Sequence, residues 1–154
     1  MCDSSTGQVY GRTVMYAGRR ALMYAWYFPK DNPSPAVGHR HDWESIVVWL
    51  NKNTDKYIGM SASGHGSFKK NIGTPSRLYE GHPLIEYDNP ISIDGVNHRL
   101  DFTTERGGMQ PLVDWATLTG KVQKALQNTD WGDANCPIGG SRFWDELEKA
   151  RLDS

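Results

Sequence analysis

The sequence predicts an α+β fold that is mainly β: a β-sandwich decorated by a few helices. Three observations carry this. Most of the 16 Gly and 8 Pro fall between short apolar runs, which is the spacing of strands joined by turns. Two of those runs are long and apolar enough to be interior strands. Helical periodicity is confined to the C-terminal third, and strands followed by helices is the α+β order.

The elements follow in turn. Residues 20–28 are apolar on both alternating faces, as expected of a strand covered on each side. Pro29 closes that run, and residues 30–35, with Pro33 and Pro35, are expected to form a loop because proline removes a ladder donor. Residues 43–50 form the second strong strand, with Ile46, Val48 and Leu50 alternating with Ser45, Val47 and Trp49. Residues 57–62 read as its hairpin partner across the polar turn at 51–55. Shorter strands are expected at 83–87 and 98–103. Further on, Trp115, Leu118, Val122, Ala125 and Leu126 follow 3-and-4 spacing and share one helical stripe, although Gly120 weakens the start. Ser141 is placed to cap a second helix, with Asp145 and Glu146 early and Phe143, Trp144 and Leu147 facing inward. With no repeat or linker in view, residues 1–154 read as one domain.

Composition narrows the function. Lys and Arg total 17 against 18 Asp and Glu, a formal net charge of -1. A nucleic-acid binder would be clearly basic, so that class is set aside. Six Trp, seven Tyr and four Phe supply large burial payloads and argue against disorder. No apolar window approaches the length of a membrane-spanning helix, and the first residues lack the charged leader and apolar core of a signal peptide. Cys2 and Cys136 show neither metal-ligand nor redox spacing. There is no Gly-x-Ser-x-Gly elbow and no cysteine in an evident electropositive setting. Binding, not covalent catalysis, is the expected mechanism.

Ligand-type side chains concentrate in Gly38-His39-Arg40-His41-Asp42-Trp43-Glu44. Strand alternation sends Asp42 and Glu44 to one face, and His39 and His41 to the other if the strand has begun. The carboxylate face continues as Ile46, Val48 and Leu50, so its acidic end is expected to open outward while its apolar end enters the core. Asp31, on the preceding loop, can fold back as a third carboxylate. An oxygen-rich site suits a hard cation, Ca²⁺ or Mg²⁺. Two other readings stand beside it. Asp42 and Glu44 can pair with Arg40, Lys30 or Arg99 as a solvated patch. Alternatively, His39, His41 and Glu44, completed by His65 or His98, faintly echo the metal set of cupin-type oxygenases.

The run Ala21-Leu22-Met23-Tyr24-Ala25-Trp26-Tyr27-Phe28-Pro29-Lys30-Asp31, followed by the seven residues from Gly38 to Glu44, closely resembles the signature of the necrosis- and ethylene-inducing peptide-like proteins. Ser5-Thr6-Gly7-Gln8-Val9-Tyr10, Ser61-Ala62-Ser63-Gly64-His65-Gly66, Gly108-Met109-Gln110-Pro111-Leu112 and Trp131-Gly132-Asp133-Ala134-Asn135 extend the resemblance over nearly the whole chain. The resemblance implies a sandwich shaped like actinoporins and fungal lectins, and a secreted cytolysin. Such proteins bind the glycosyl inositol phosphorylceramide head groups of plant sphingolipids with a divalent cation and damage the plasma membrane. It implies a cation held by Asp31, His39, Asp42 and Glu44, with the two aspartates in direct contact and His39 and Glu44 acting through water. His65 is either a cavity-lining or an exposed turn residue. Trp115 is either a sugar-stacking or a core residue. Plant immune receptors are a further implied partner of the 21–31 stretch, and the chain is expected to act as a monomer. Members normally carry a signal peptide and additional N-terminal sequence. Cys2 normally has an upstream disulfide partner, so the chain reads as an N-terminally shortened member. A non-lytic, lectin-like or immune-exposed relative is the alternative function.

Overall fold

The computed structural model describes residues 7–30, 40–88, 91–92, 95–96 and 99–153. In chain order the strands are β1 (Val9–Tyr16), β2 (Arg19–Lys30), β3 (Arg40–Asn51), β4 (Tyr57–Gly64), β5 (Ser67–Ile72), β6 (Leu78–Tyr79), β7 (His82–Pro83), β8 (Ile85–Asp88), β9 (Ile91–Ser92), β10 (Gly95–Val96), β11 (Arg99–Phe102) and β12 (Leu112–Asp114). Two α-helices follow, α1 (Gly120–Asn128) and α2 (Arg142–Lys149), with single 3₁₀ turns at Pro75–Arg77 and Trp115–Thr117. The mainly β, α+β architecture is the expected one.

Two-residue turns make the hairpins. Ala17 and Gly18 (φ 46° and 75°) join β1 to β2, and His65 and Gly66 (φ 51° and 74°) join β4 to β5. Positive φ at both central residues is the type I′ geometry whose twist matches that of paired strands. The large sheet runs β12-β1-β2-β3-β4-β11-β8, and β5 also pairs with β4. All its pairings are antiparallel except β1 with β12.

β3 lies at the centre and is buried on both faces. Its odd-numbered residues face the helices. Val47 and Trp49 join Ala21 and Met23 of β2 against Phe143, Leu147, Ala150 and Leu152, while Trp43 and Ala25 join Trp115, Leu126, Cys136 and Ile138. The even-numbered residues Ile46 and Val48, with Met60 and Ala62 of β4, pack against Leu100 and Phe102 of β11. Among the described residues β11 meets β4 only at Arg99↔Gly64, while Arg99–Phe102 pair throughout with β8, so the β8–β11 hairpin folds across the sheet as a second layer. That overlap makes the fold sandwich-like. Each fully buried aliphatic or aromatic side chain contributes about 1.5–3 kcal/mol.

α2 is fastened to the sheet by polar bonds as well. The Ala150 carbonyl at its C-terminal end accepts from Trp49 Nε1 (3.1 Å) and Ser61 Oγ (2.6 Å). These donors satisfy a helix-end carbonyl that has no partner within the helix. On the other flank Arg12 Nη1 donates to the Ile138 carbonyl at 2.9 Å, and its guanidinium lies 3.9 Å from the centre of the Phe143 ring.

Several expectations are corrected. Pro29 does not end β2, because the ladder resumes at Lys30↔Arg40 after Phe28↔Asp42. Between those pairs His41 takes a left-handed backbone (φ 66°), where Pro29 has no N–H to offer. The stripe from Trp115 to Leu126 is not one helix. Trp115 sits in a 3₁₀ turn capped by Asp114, and α1 starts at Gly120 behind Thr119, whose hydroxyl accepts from the Val122 N–H. Val122 and Ala125 are accordingly exposed. Ser141 does occupy the N-cap position of α2, but its carbonyl is the acceptor for the Trp144 and Asp145 amides, and no side-chain cap bond forms. Phe143 and Leu147 face inward as expected, whereas Trp144 lies on the exposed flank beside Tyr16. Of the loop expected at 30–35, Lys30 belongs to β2 and the rest, like His98 and Cys2, falls outside the described residues.

Candidate functional site

Alternation along β3 places Asp42 and Glu44 on the face that continues into Ile46 and Val48, as the sequence predicts. The surroundings differ from the expected open mouth, because Asp42 is only 6% and Glu44 only 5% exposed. Their cover comes from cross-strand neighbours, which share a face in an antiparallel pair. Phe28, opposite Asp42 in the ladder, lies with its ring 4.7 Å from that of Tyr87 on β8. Trp26, opposite Glu44, donates its indole N–H to Gln110 Oε1. The cross-strand neighbours of the two carboxylates are thus aromatic, Phe28 beside Asp42 and Trp26 beside Glu44.

Both carboxylates are oriented by nearby donors. Asp42 Oδ1 accepts from the Trp43 amide at 2.9 Å. Glu44 Oε2 accepts from the Ser63 hydroxyl, which in turn accepts from the Ser45 amide at 2.8 Å. Ser63 stands just beyond the last β3–β4 pair, Ile46↔Ala62. Its role was missed in the sequence, where Ser63 lies just past the expected strand at 57–62 and enters only as part of the run 61–66 that carries the family resemblance. Arg99 was offered as an ion-pair partner for this face; its Nη2 reaches Asp88 Oδ2 at 3.0 Å and Asp101 Oδ2 at 3.5 Å.

Next to the site, Asp101 receives Lys69 Nζ on both oxygens (2.7 and 2.8 Å) and the Phe102 amide at 2.7 Å. Burial by itself would raise the Asp101 pKa. The Lys69 hydrogen bond, the Phe102 amide and the Lys69 and Arg99 charges outweigh it and hold this carboxyl below the usual range.

The remaining candidates separate. Asp31 and His39 lie outside the described residues. His41 turns to the helix side, where Nδ1 is 2.6 Å from Tyr27 Oη and the ring lies edge-on to Trp131. It is therefore displaced from the Glu44 face. Trp43 is buried on that same side against Tyr10, Tyr27 and Trp131. His65 is exposed at the tip of the β4–β5 hairpin, one residue past Gly64, where β11 joins. Trp115 is 8% exposed within the cluster of Leu126, Cys136 and Ile138, with the Arg12 guanidinium 5.1 Å from its ring centre. A ring closed in by protein has no face to offer a sugar, so the sugar-stacking role for Trp115 is withdrawn. Cys136 is a buried small side chain whose thiol burial pushes up to about 11.

Chemically, two carboxylates taken out of water on one face repel unless positive charge sits with them. Their donor set is all oxygen, which fits a hard divalent cation and not a soft metal. Among the described residues no three His, Cys, Asp or Glu side chains form a metal-holding group.

Comparison with known proteins gives a consistent picture. Residues 1–150 match the family model described as Necrosis inducing protein (NPP1). The necrosis-inducing protein NPP1 of Phytophthora nicotianae is 40% identical over 147 residues, which cover 93% of this chain and 61% of that protein. A solved structure described as NLPPya in complex with glucosamine is 43% identical with a TM-score of 0.87, over 95% of this chain and 69% of that one. The crystal structure of non-toxic HaNLP3 protein is 36% identical with a TM-score of 0.87, over 96% of this chain and 70% of that one. The chain spans between 42% and 62% of the length of its curated relatives from Phytophthora capsici and Phytophthora nicotianae.

Proposed function

The chain belongs to the necrosis inducing protein (NPP1) family, and from that premise we propose that it is a secreted cytolysin-like virulence factor. It binds the glycosyl inositol phosphorylceramide head groups of plant sphingolipids with the help of a divalent cation, and damages the plant plasma membrane. The observation that carries this reading is the Asp42–Glu44 pair: two buried carboxylates on one strand face, each oriented by a hydrogen-bond donor. A relative of the same fold in complex with glucosamine supports a sugar-like ligand.

Asp31, His39, Asp42 and Glu44 would hold the cation, Ca²⁺ or Mg²⁺. When bound, the cation supplies a concentrated positive charge to which phosphate or sugar hydroxyl oxygens can coordinate. The chain's own part is electrostatic and geometric. Asp42 and Glu44 set a negative well, the Trp43 and Ser63 donors fix which oxygens are already occupied, and the Phe28 and Trp26 rings limit access of water. His65, beside the Gly64 junction, is the side chain we assign to the rim of the head-group site. The partner is a membrane glycolipid, the acting form is a monomer, and no covalent chemistry is involved.

Leakage of vesicles carrying plant sphingolipid tests the function. Leakage that requires the sphingolipid and stops on adding a chelator is expected. Cation-dependent binding without leakage would instead establish the non-lytic alternative, which the likeness to a non-toxic relative supports. The oxygenase alternative is disfavoured by the position of His41, which bonds Tyr27 on the face opposite Glu44.

A further inference from the structure

We propose that the start of β3 borders a second ligand site, a cleft for a dipolar molecule that bears an ammonium group at one end and an oxyanion at the other. A cavity of about 510 Å³ lies between the start of β3 and the turn that follows Trp131, lined by Arg40, His41, Asp130, Gly132 and Asp133. That volume is typical of small-molecule sites, which run from about 300 to 1,000 Å³. The cleft is distinct from the Asp42–Glu44 face, because His41 turns to the helix side of the strand. Strict alternation would send Arg40 to the side of Asp42. The left-handed backbone at His41 (φ 66°) interrupts that alternation, and Arg40 shares the cavity with His41 instead.

The lining carries both signs of charge without joining them. Among the described residues no ion pair links Arg40 to Asp130 or Asp133. A lone anion in the cavity would meet two carboxylates, and a lone cation would meet the guanidinium. An apolar molecule would find hardly any apolar wall. A molecule with both charges avoids each repulsion. The planar guanidinium fork suits the oxyanion, and the carboxylates suit the ammonium group. The acidic wall is also held in place. Asp130 Oδ1 accepts from the Gly132 amide at 2.9 Å, where the backbone turns left-handed (φ 64°). Trp131 donates Nε1 to the Leu126 carbonyl at 3.1 Å and packs edge-on against Trp43. Beyond the turn, Arg142 donates to Asn135 Oδ1 at 3.0 Å. A wall fixed in this way loses little freedom when a ligand enters. An amino acid and a zwitterionic lipid head group share the required chemistry.

Calorimetric titration of the full chain with O-phosphoethanolamine and with γ-aminobutyrate, in the presence of a chelator, tests this. Inorganic phosphate alone and ethanolamine alone are the comparisons. At least one dipolar compound should bind, and each singly functional compound should bind about tenfold more weakly or worse. Arg40→Gln and Asp133→Asn change exposed side chains, and each should weaken the dipolar compound about tenfold. A parent that binds neither dipolar compound overturns the proposal. So does binding no tighter than that of phosphate alone, or binding that either substitution leaves unchanged. Binding that appears only when Mg²⁺ or Ca²⁺ replaces the chelator belongs to the carboxylate face and overturns it too. Because the titration runs without free cation, its outcome is independent of the function proposed above. Co-sedimentation with phosphatidylethanolamine vesicles, set against phosphatidylglycerol vesicles, separates the two sources. Co-sedimentation with the former that Arg40→Gln abolishes assigns the cleft to a lipid head group. Binding of the free compound without co-sedimentation assigns it to a soluble ligand, and either result upholds the cleft.

Discussion

Gly64 and Arg99 touch at the point where the second layer joins the sheet. A Cβ built on Gly64 would stand 2.6 Å from Arg99 Cβ, closer than side-chain carbons approach. This glycine is what lets β11 lie against β4 and bring Leu100 and Phe102 over Ile46 and Met60. Gly64→Ala is expected to push the β8–β11 hairpin away at a cost of about 1–3 kcal/mol, the usual range for overpacking. A urea midpoint equal to that of the parent would show that the junction is looser than described.

The helix layer is held at several points, of which Phe143 is the largest buried side chain on α2. Phe143 is fully buried and carries the Arg12 guanidinium on its face at 3.9 Å. Phe143→Ala should cost about 3–5 kcal/mol, a large share of the stability of a small domain. Thermal melting should therefore fall steeply. A small shift would mean that Leu147 and the Ala150 bonds dock α2 without it.

Asp101 sets an acid limit. Its folded pKa lies below the ordinary value because Lys69, the Phe102 amide and Arg99 together outweigh its burial. Its contribution is fully present above the unfolded aspartate pKa of about 3.9 and is lost as the pH falls through the lower folded value. Asp101→Asn should thus be less stable than the parent near neutrality, with the gap closing as the solution is made acidic. Parallel melting curves from neutral to acid would contradict the assignment.

His41 has a structural part, expressed in its bond to Tyr27 and its left-handed backbone. Asparagine accepts that backbone more readily than most residues. His41→Asn should lower the melting temperature while leaving Mg²⁺ or Ca²⁺ affinity within about threefold, since an effect on binding would require contact with the loaded face. A loss of tenfold or more would return His41 to the metal set.

The sequence made some parts of this arrangement plain and hid others, for physical reasons. β2, β3 and β4 announce themselves because β3 is covered on both faces, which leaves a continuous apolar run through Ile46, Val47, Val48 and Trp49. β1 and β5 do not. β1 aims Arg12 into the helix layer, where a charged residue breaks the apolar alternation, and the hairpin turns are Ala17-Gly18 and His65-Gly66, without the Asn-Gly or Asp-Gly signal. The shared face of Asp42 and Glu44 follows from period-two alternation alone. Their burial was not legible, because the cover involves Tyr87, which is brought in by a hairpin distant in sequence. Trp115 fitted a helical stripe that Asp114 and Thr119 interrupt with two separate caps. Ser63 escaped notice because its function depends on where the β3–β4 ladder stops.

The most direct test of the cation-dependent reading compares Asp42→Ala with the parent in leakage from plant-sphingolipid vesicles over a range of Mg²⁺ and Ca²⁺ concentrations. The parent should release contents only when the cation is present. The variant should fail at cation concentrations that saturate the parent, while its far-ultraviolet circular dichroism stays that of a folded β protein. If folded Asp42→Ala leaks the vesicles as well as the parent does, the carboxylate site is not what couples this protein to the membrane.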